Sequence, residues 1–156
     1  MSLSTRIAAH LPYLRRYARA VTGSQTSGDA YVAAVLETLI EDISLFPEGR
    51  DDKVAIYKLF SRLFSSTTIE IEEIESPYSW EKRAAANLLA LPAKPRQAFL
   101  LISLEGFSHR ETAEILGVET EDVSALIDEA SSEIARQVAT DIMIIEDEPL
   151  IAMDIE

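Results

Sequence analysis

Apolar residues recur at steps of three and four along most of this chain, and short polar or proline-containing breaks cut the pattern into helices. Ile7, Leu11, Leu14, Ala18 and Val21 predict a first helical segment over about 4–21, with Pro12 either starting a new helix or bending the first. The stretch TGSQTSG, residues 22–28, reads as a polar turn. Val32, Val35, Leu36, Leu39, Ile40 and Ile43 then mark a helix over 29–46 with an unusually wide apolar stripe. Residues 47–52 break the pattern, and Val54, Ile56, Tyr57, Leu59, Phe60, Leu63 and Phe64 resume it over 53–65. That is more apolar surface than one small helix pair normally buries, so part of it is a candidate docking face and part a candidate core.

The next stretch, SSTTIEIEEIESP, alternates β-branched residues with acids, but a lone strand in a helical chain has no partner for its backbone, so a linker is expected. A helix over about 78–90, a break around Pro92 and a helix over about 95–104 follow. The sequence GFSHRETAEILGVETEDVSALIDEASSEIARQV then has the outline of a helix-turn-helix. Ser108 and Glu111 form a capping box, and Gly117 ends the first helix in the left-handed manner. A second helix should start near Thr120, burying Val123, Leu126, Ile127, Ala130, Ile134 and Val138. Asp141 to Glu146, DIMIIE, reads instead as one buried strand opening an α/β unit. The expected organisation is all-α: a helical domain over 1–68, an acidic linker over 69–77 and a second helical domain over 78–139. The start of a truncated α/β domain should occupy 140–156, with its first strand at 141–146, making the chain a fragment of something longer.

The outer side of the second helix of the helix-turn-helix changes this picture. A recognition helix in the major groove needs Lys, Arg, Asn or Gln reaching phosphates and base edges. Here Glu119, Glu121, Asp122, Asp128, Glu129 and Glu133 are acidic, and no basic residue precedes Arg136. Such a face would be repelled by a polyanion, so the shape of a DNA-binding motif is expected without its function.

Composition narrows the classes further. The formal net charge is -13, and it is uneven: residues 1–68 hold eight bases against seven acids, residues 69–156 six against twenty. That favours a basic or helical protein partner over nucleic acid. There is no cysteine, which removes disulfides, thiolate metal sites and cysteine nucleophiles. The longest apolar run, residues 98–104, is too short to span a bilayer. Arg6, Arg15, Arg16 and Arg19 precede the first acid, Asp29, as in a transit peptide, but the apolar spacing through them predicts a folded helix. Residence in the cytoplasm is expected. His10 and His109 are isolated, and no phosphate loop or nucleophile elbow appears, so no enzymatic activity is expected.

The quoted motifs also carry a resemblance. LPAKPRQAFLLISLEGFSHRETAEILGV is similar to the opening of region 4 of the extracytoplasmic-function sigma factors, while LPYLRRYARAVTGSQTSGDAYVAAVLETL and KVAIYKLFSRLF look like parts of their region 2. IMIIEDEPLIAMDIE resembles the start of a response-regulator receiver domain. The combination resembles the PhyR-type regulators of the general stress response. That resemblance implies a sigma-factor mimic that sequesters an anti-sigma factor of the NepR type and so releases the true sigma factor. Phosphorylation of the protein's own receiver domain would relieve its hold on the sigma-like part. It implies Mg²⁺ held with Glu146 and Asp147 in a complete receiver, an acceptor Asp beyond Glu156, and no cofactor in this fragment.

At the positions where a sigma factor faces DNA stand Ser124, Leu126, Asp128, Glu129 and Ser131. Candidate partner contacts are outward apolar side chains: Val35, Leu39, Tyr57 and Phe60 in the first module, Leu126 and Ile127 in the second. The alternative is a true extracytoplasmic-function sigma factor that binds promoter DNA and polymerase core, supported by the basic helix around Arg15, Arg16 and Arg19.

Overall fold

The computed structural model describes residues 2–47, 49, 51–67 and 86–146. Helix α1 (Leu3–Ala8) is capped by the Ser2 hydroxyl, which accepts from the Thr5 amide. After Ala9 and His10, α2 (Leu11–Thr22) begins afresh with Pro12 in its first turn, the place where a missing N–H loses nothing. Gly23, at φ 83°, closes α2 in the left-handed conformation.

The turn expected over 22–28 is only two residues long. Ser24 accepts from the Ser27 amide and starts α3 (Gln25–Glu41) at once. Gly28 therefore lies inside a helix, and packing explains it: a Cβ there would sit 2.7 Å from the Arg19 amide nitrogen and 2.8 Å from the Ala18 carbonyl carbon. The two helices touch backbone to backbone at this point. A short 3₁₀ turn (Ile43–Leu45), capped by Asp42, and the buried Phe46 lead towards α4 (Asp52–Ser66).

Residues 86–89 are helical and precede α5 (Ala93–Ser103), α6 (His109–Leu116) and α7 (Thr120–Glu146). The expected linker over 69–77 lies outside the described residues, as does the start of the helix expected over 78–90. One apolar cluster joins the two halves of the chain: Leu14, Tyr17, Val35, Ile56, Tyr57 and Phe60 are continuous with Leu101, Phe107 and Ile115. Aromatic rings form its middle, with Tyr17 and Tyr57 at 5.3 Å between centroids and Tyr57 and Phe107 edge-on at 5.0 Å.

The strand expected over 141–146 is not there: those residues are the last turns of α7. A strand needs a neighbour to satisfy its amides and carbonyls, whereas a continuing helix satisfies them within itself. Among the described residues no strand is available to pair with.

Candidate protein interface

The helix-turn-helix forms as its local sequence dictates. The Ser108 hydroxyl accepts from the Glu111 amide at 3.1 Å, and the Glu111 carboxylate accepts from the Ser108 amide at 3.0 Å. Gly117, at φ 68°, ends α6, and α7 begins at Thr120. Thr112, Ala113 and Ile115 face inward from α6, and Val123 and Ala130 from α7.

The opposite side of α7 presents Glu121, Asp122, Ser124, Asp128, Glu129 and Ser131 to solvent, with Glu119 exposed in the turn before it. The one base on this helix, Arg136, donates through Nε and Nη2 to both oxygens of Glu133. That pair holds the Glu133 carboxyl below the usual carboxylate range, chiefly through the hydrogen bond. The helix therefore has no unengaged cation with which to release counterions from a phosphate backbone.

A polar seam fixes this second module to the first. Arg16 on α2 donates through Nη2 to Glu105 Oε2 at 2.8 Å and to the Leu104 carbonyl at 3.3 Å. The Glu105 side chain is fully buried while that of Arg16 is half exposed. From α4, the Lys53 ammonium donates to the Glu105 carbonyl at 3.4 Å and lies 4.9 Å over the Phe107 ring, 5.4 Å over Tyr13 and 5.8 Å over Tyr57. Deeper in, Gln97 donates to the Ser61 hydroxyl at 3.3 Å. The Tyr57 hydroxyl neighbours Glu105 without closing a hydrogen bond; burial first, then that carboxylate, push the phenol well above its ordinary value.

The structure corrects the expected contact residues. Val35, Leu39, Tyr57 and Phe60 are buried, and they are core because α3 and α4 turn those faces inward against α2 and the second module. Leu126 and Ile127 are half-buried on α7. Of the carboxylates implied for a receiver's Mg²⁺, Glu146 is the last residue of α7 and Asp147 lies outside the described residues.

What periodicity missed is the apolar surface left outside. Ile40 is 84% exposed, Ile43 64% and Leu45 46%, all at the end of α3 and in the 3₁₀ turn, with Val138, Ile142 and Met143 along the last turns of α7. The signal was present in the excess width of the α3 stripe, which is greater than one helix contact covers. A groove of about 150 Å³ between α3 and α4, lined by Val35, Thr38, Leu59, Arg62, Leu63 and Ser66, adds a smaller recess.

A helical body that keeps a sigma-type helix-turn-helix and loses its cationic face defines the class of sigma-like regulators. Two family models match, the sigma2 domain of PhyR over residues 7–61 and the sigma-like domain of the response regulator PhyR over residues 88–137. The chain belongs to the PhyR family. It is 46% identical over 156 residues to the phyllosphere-induced regulator PhyR of Methylorubrum extorquens, covering all of this chain and 58% of that protein. It thus spans little more than half the length of that curated relative.

Among solved structures, the complex of the anti-anti-sigma factor PhyR with the anti-sigma factor NepR from Bartonella quintana superposes with a TM-score of 0.75. Identity there is 47%, over 99% of this chain and 58% of that one. The solution structure of the PhyRSL–NepR complex from Sphingomonas sp. Fr1 gives 0.70 at 38% identity, over 88% of this chain and 89% of that one.

Proposed function

We propose that this chain is an anti-anti-sigma module: it sequesters a NepR-type anti-sigma factor by presenting a sigma-like surface, and so frees the general stress response sigma factor. In the full-length protein, phosphorylation of its receiver domain would govern access to that surface. The observation that carries the reading is α7. Its buried residues keep the register of a recognition helix, while its outer face is carboxylate and its single base is engaged by Glu133. A decoy needs the shape its inhibitor grips and has no use for promoter affinity, so this pattern of retention and loss is what mimicry demands. The relatives solved with NepR bound support the same partner class.

The role is regulatory rather than catalytic. No helix among the described residues is long and apolar enough to cross a membrane, in keeping with work in the cytoplasm beside the transcription machinery. The division at residues 68 and 78 belongs to this reading, with the seam at Arg16 and Glu105 holding the two modules as one surface. The rival, a true sigma factor, finds no exposed cationic recognition helix to use. Titration calorimetry of the chain with a purified NepR-type protein, and a gel-shift assay with promoter duplex at moderate salt, test the proposal. Saturable 1:1 binding to the anti-sigma protein without a DNA shift is expected. Tight, salt-sensitive DNA binding with no anti-sigma binding would overturn it.

A further inference from the structure

The corner where α3 ends carries apolar side chains that nothing among the described residues covers. Ile40 is 84% exposed, and in the turn Ile-Ser-Leu that follows no residue is buried. Isolated exposed apolar residues are ordinary, but three large ones within six positions form a patch that water solvates poorly. The patch is also rigid. The Asp42 amide donates to the Thr38 carbonyl at 3.0 Å, Leu45 to Asp42 at 3.2 Å and Phe46 to Ile43 at 3.2 Å, while Phe46 itself is anchored in the core. A surface ordered in advance loses little entropy when it is covered.

Charge around the patch indicates what covers it. Asp42 is committed to capping, since its Oδ1 accepts from the Ser44 amide and hydroxyl. Glu37 and Glu41 are exposed one turn apart on α3, next to Ile40 in the helix, and neither takes part in an ion pair among the described residues. No base lies between Arg19 and Arg50.

We infer that Ile40, Ile43 and Leu45, flanked by Glu37 and Glu41, receive an amphipathic helix of the anti-sigma partner whose apolar stripe is bordered by Lys or Arg. This rests on the proposed anti-sigma role and assigns the contact to the outer side of α3 in place of the buried Val35 and Leu39. Apolar contact supplies the affinity, and the carboxylates fix the polarity of the bound helix and steer its approach.

The test uses the chain with a NepR-type protein and three variants. Ile40→Asp with Ile43→Asp should fold with an unchanged melting temperature, because both side chains are already in water, and should weaken binding by about tenfold or more. Glu37→Lys with Glu41→Lys should weaken it by less, and should lower the association rate and its salt dependence. Val35→Asp, by contrast, should fail to fold, which separates core from contact. If the wild-type chain binds and the Ile40, Ile43 double variant binds within about twofold of it, this inference is overturned and the anti-sigma role stands. If the wild-type chain does not bind, both fall. A wild-type homodimer abolished by the double variant would identify a second copy as the occupant and also overturn the inference.

Discussion

Single residues set the tolerances of this fold, and Gly28 is the sharpest case. Alanine in a helix interior normally gains about 0.5–1 kcal/mol over glycine. Here the added Cβ would meet backbone atoms of Ala18 and Arg19 at 2.7 to 2.9 Å, which no side-chain rotation relieves. Overpacking costs about 1–3 kcal/mol, so the clash outweighs the gain. Gly28→Ala should therefore lower the melting temperature by several degrees, and an unchanged or higher value would contradict the close approach of α2 and α3.

Tyr17 and Tyr57 make a second test. Burial raises both phenols above their ordinary value near 10, and the Glu105 carboxylate adds to the effect at Tyr57. A folded value raised above the unfolded one means that this stabilisation is complete below about pH 10 and is lost as pH rises, because the unfolded chain ionises first. Tyrosinate absorbance from Tyr17 and Tyr57 should therefore develop only as the chain unfolds. Ionisation of these two phenols in a chain that stays folded would contradict their burial.

At the scale of elements, local signals carried much of the reading and long-range ones did not. The Ser108 and Glu111 box, the left-handed Gly117 and the start at Thr120 were legible because caps are decided within four residues. The early start of α3 was not, because the turn-like composition around Gly28 conceals a packing contact made with α2. Nor was the helical state of residues 141–146. DIMIIE is β-branched and apolar, yet its state depends on whether a strand partner exists.

Periodicity also finds the apolar positions of α3 and α4 without telling which side turns inward, so it does not separate the buried Val35, Leu39, Tyr57 and Phe60 from the exposed Ile40. The helical state of that last segment is open to test. Ile142→Pro removes an amide hydrogen bond and clashes with the preceding turn, so helical ellipticity should fall measurably. The melting temperature should hardly change, since Val138, Ile142 and Met143 are exposed. Unchanged ellipticity would contradict a helix that runs to Glu146.

For the whole molecule, the decisive contacts join positions distant in sequence. Arg16 meets Glu105 and Lys53 meets Phe107, and neither pairing is visible in a pattern of apolar spacing. Replacing Arg16 with Ala strands a fully buried carboxylate, which costs about 3 kcal/mol towards the lower end for such pairs, because Arg16 is half exposed and Lys53 lies close by. Glu105→Gln keeps the shape and removes the charge, so about 1 kcal/mol is expected. Denaturant unfolding should rank Arg16→Ala as clearly the more damaging of the two. The reverse order would mean that the seam is held by something other than this pair.

In the role proposed for it, a sigma-like body has exchanged its grip on DNA for a grip on the inhibitor of sigma. Its most direct test is competition: a labelled extracytoplasmic-function sigma factor is held in complex with a NepR-type protein, and this chain is titrated in while release of the label is followed. Stoichiometric release of free sigma factor, undiminished when promoter duplex is present in excess, is expected. A sigma factor that stays bound at saturating chain, or release abolished by the duplex, would contradict it.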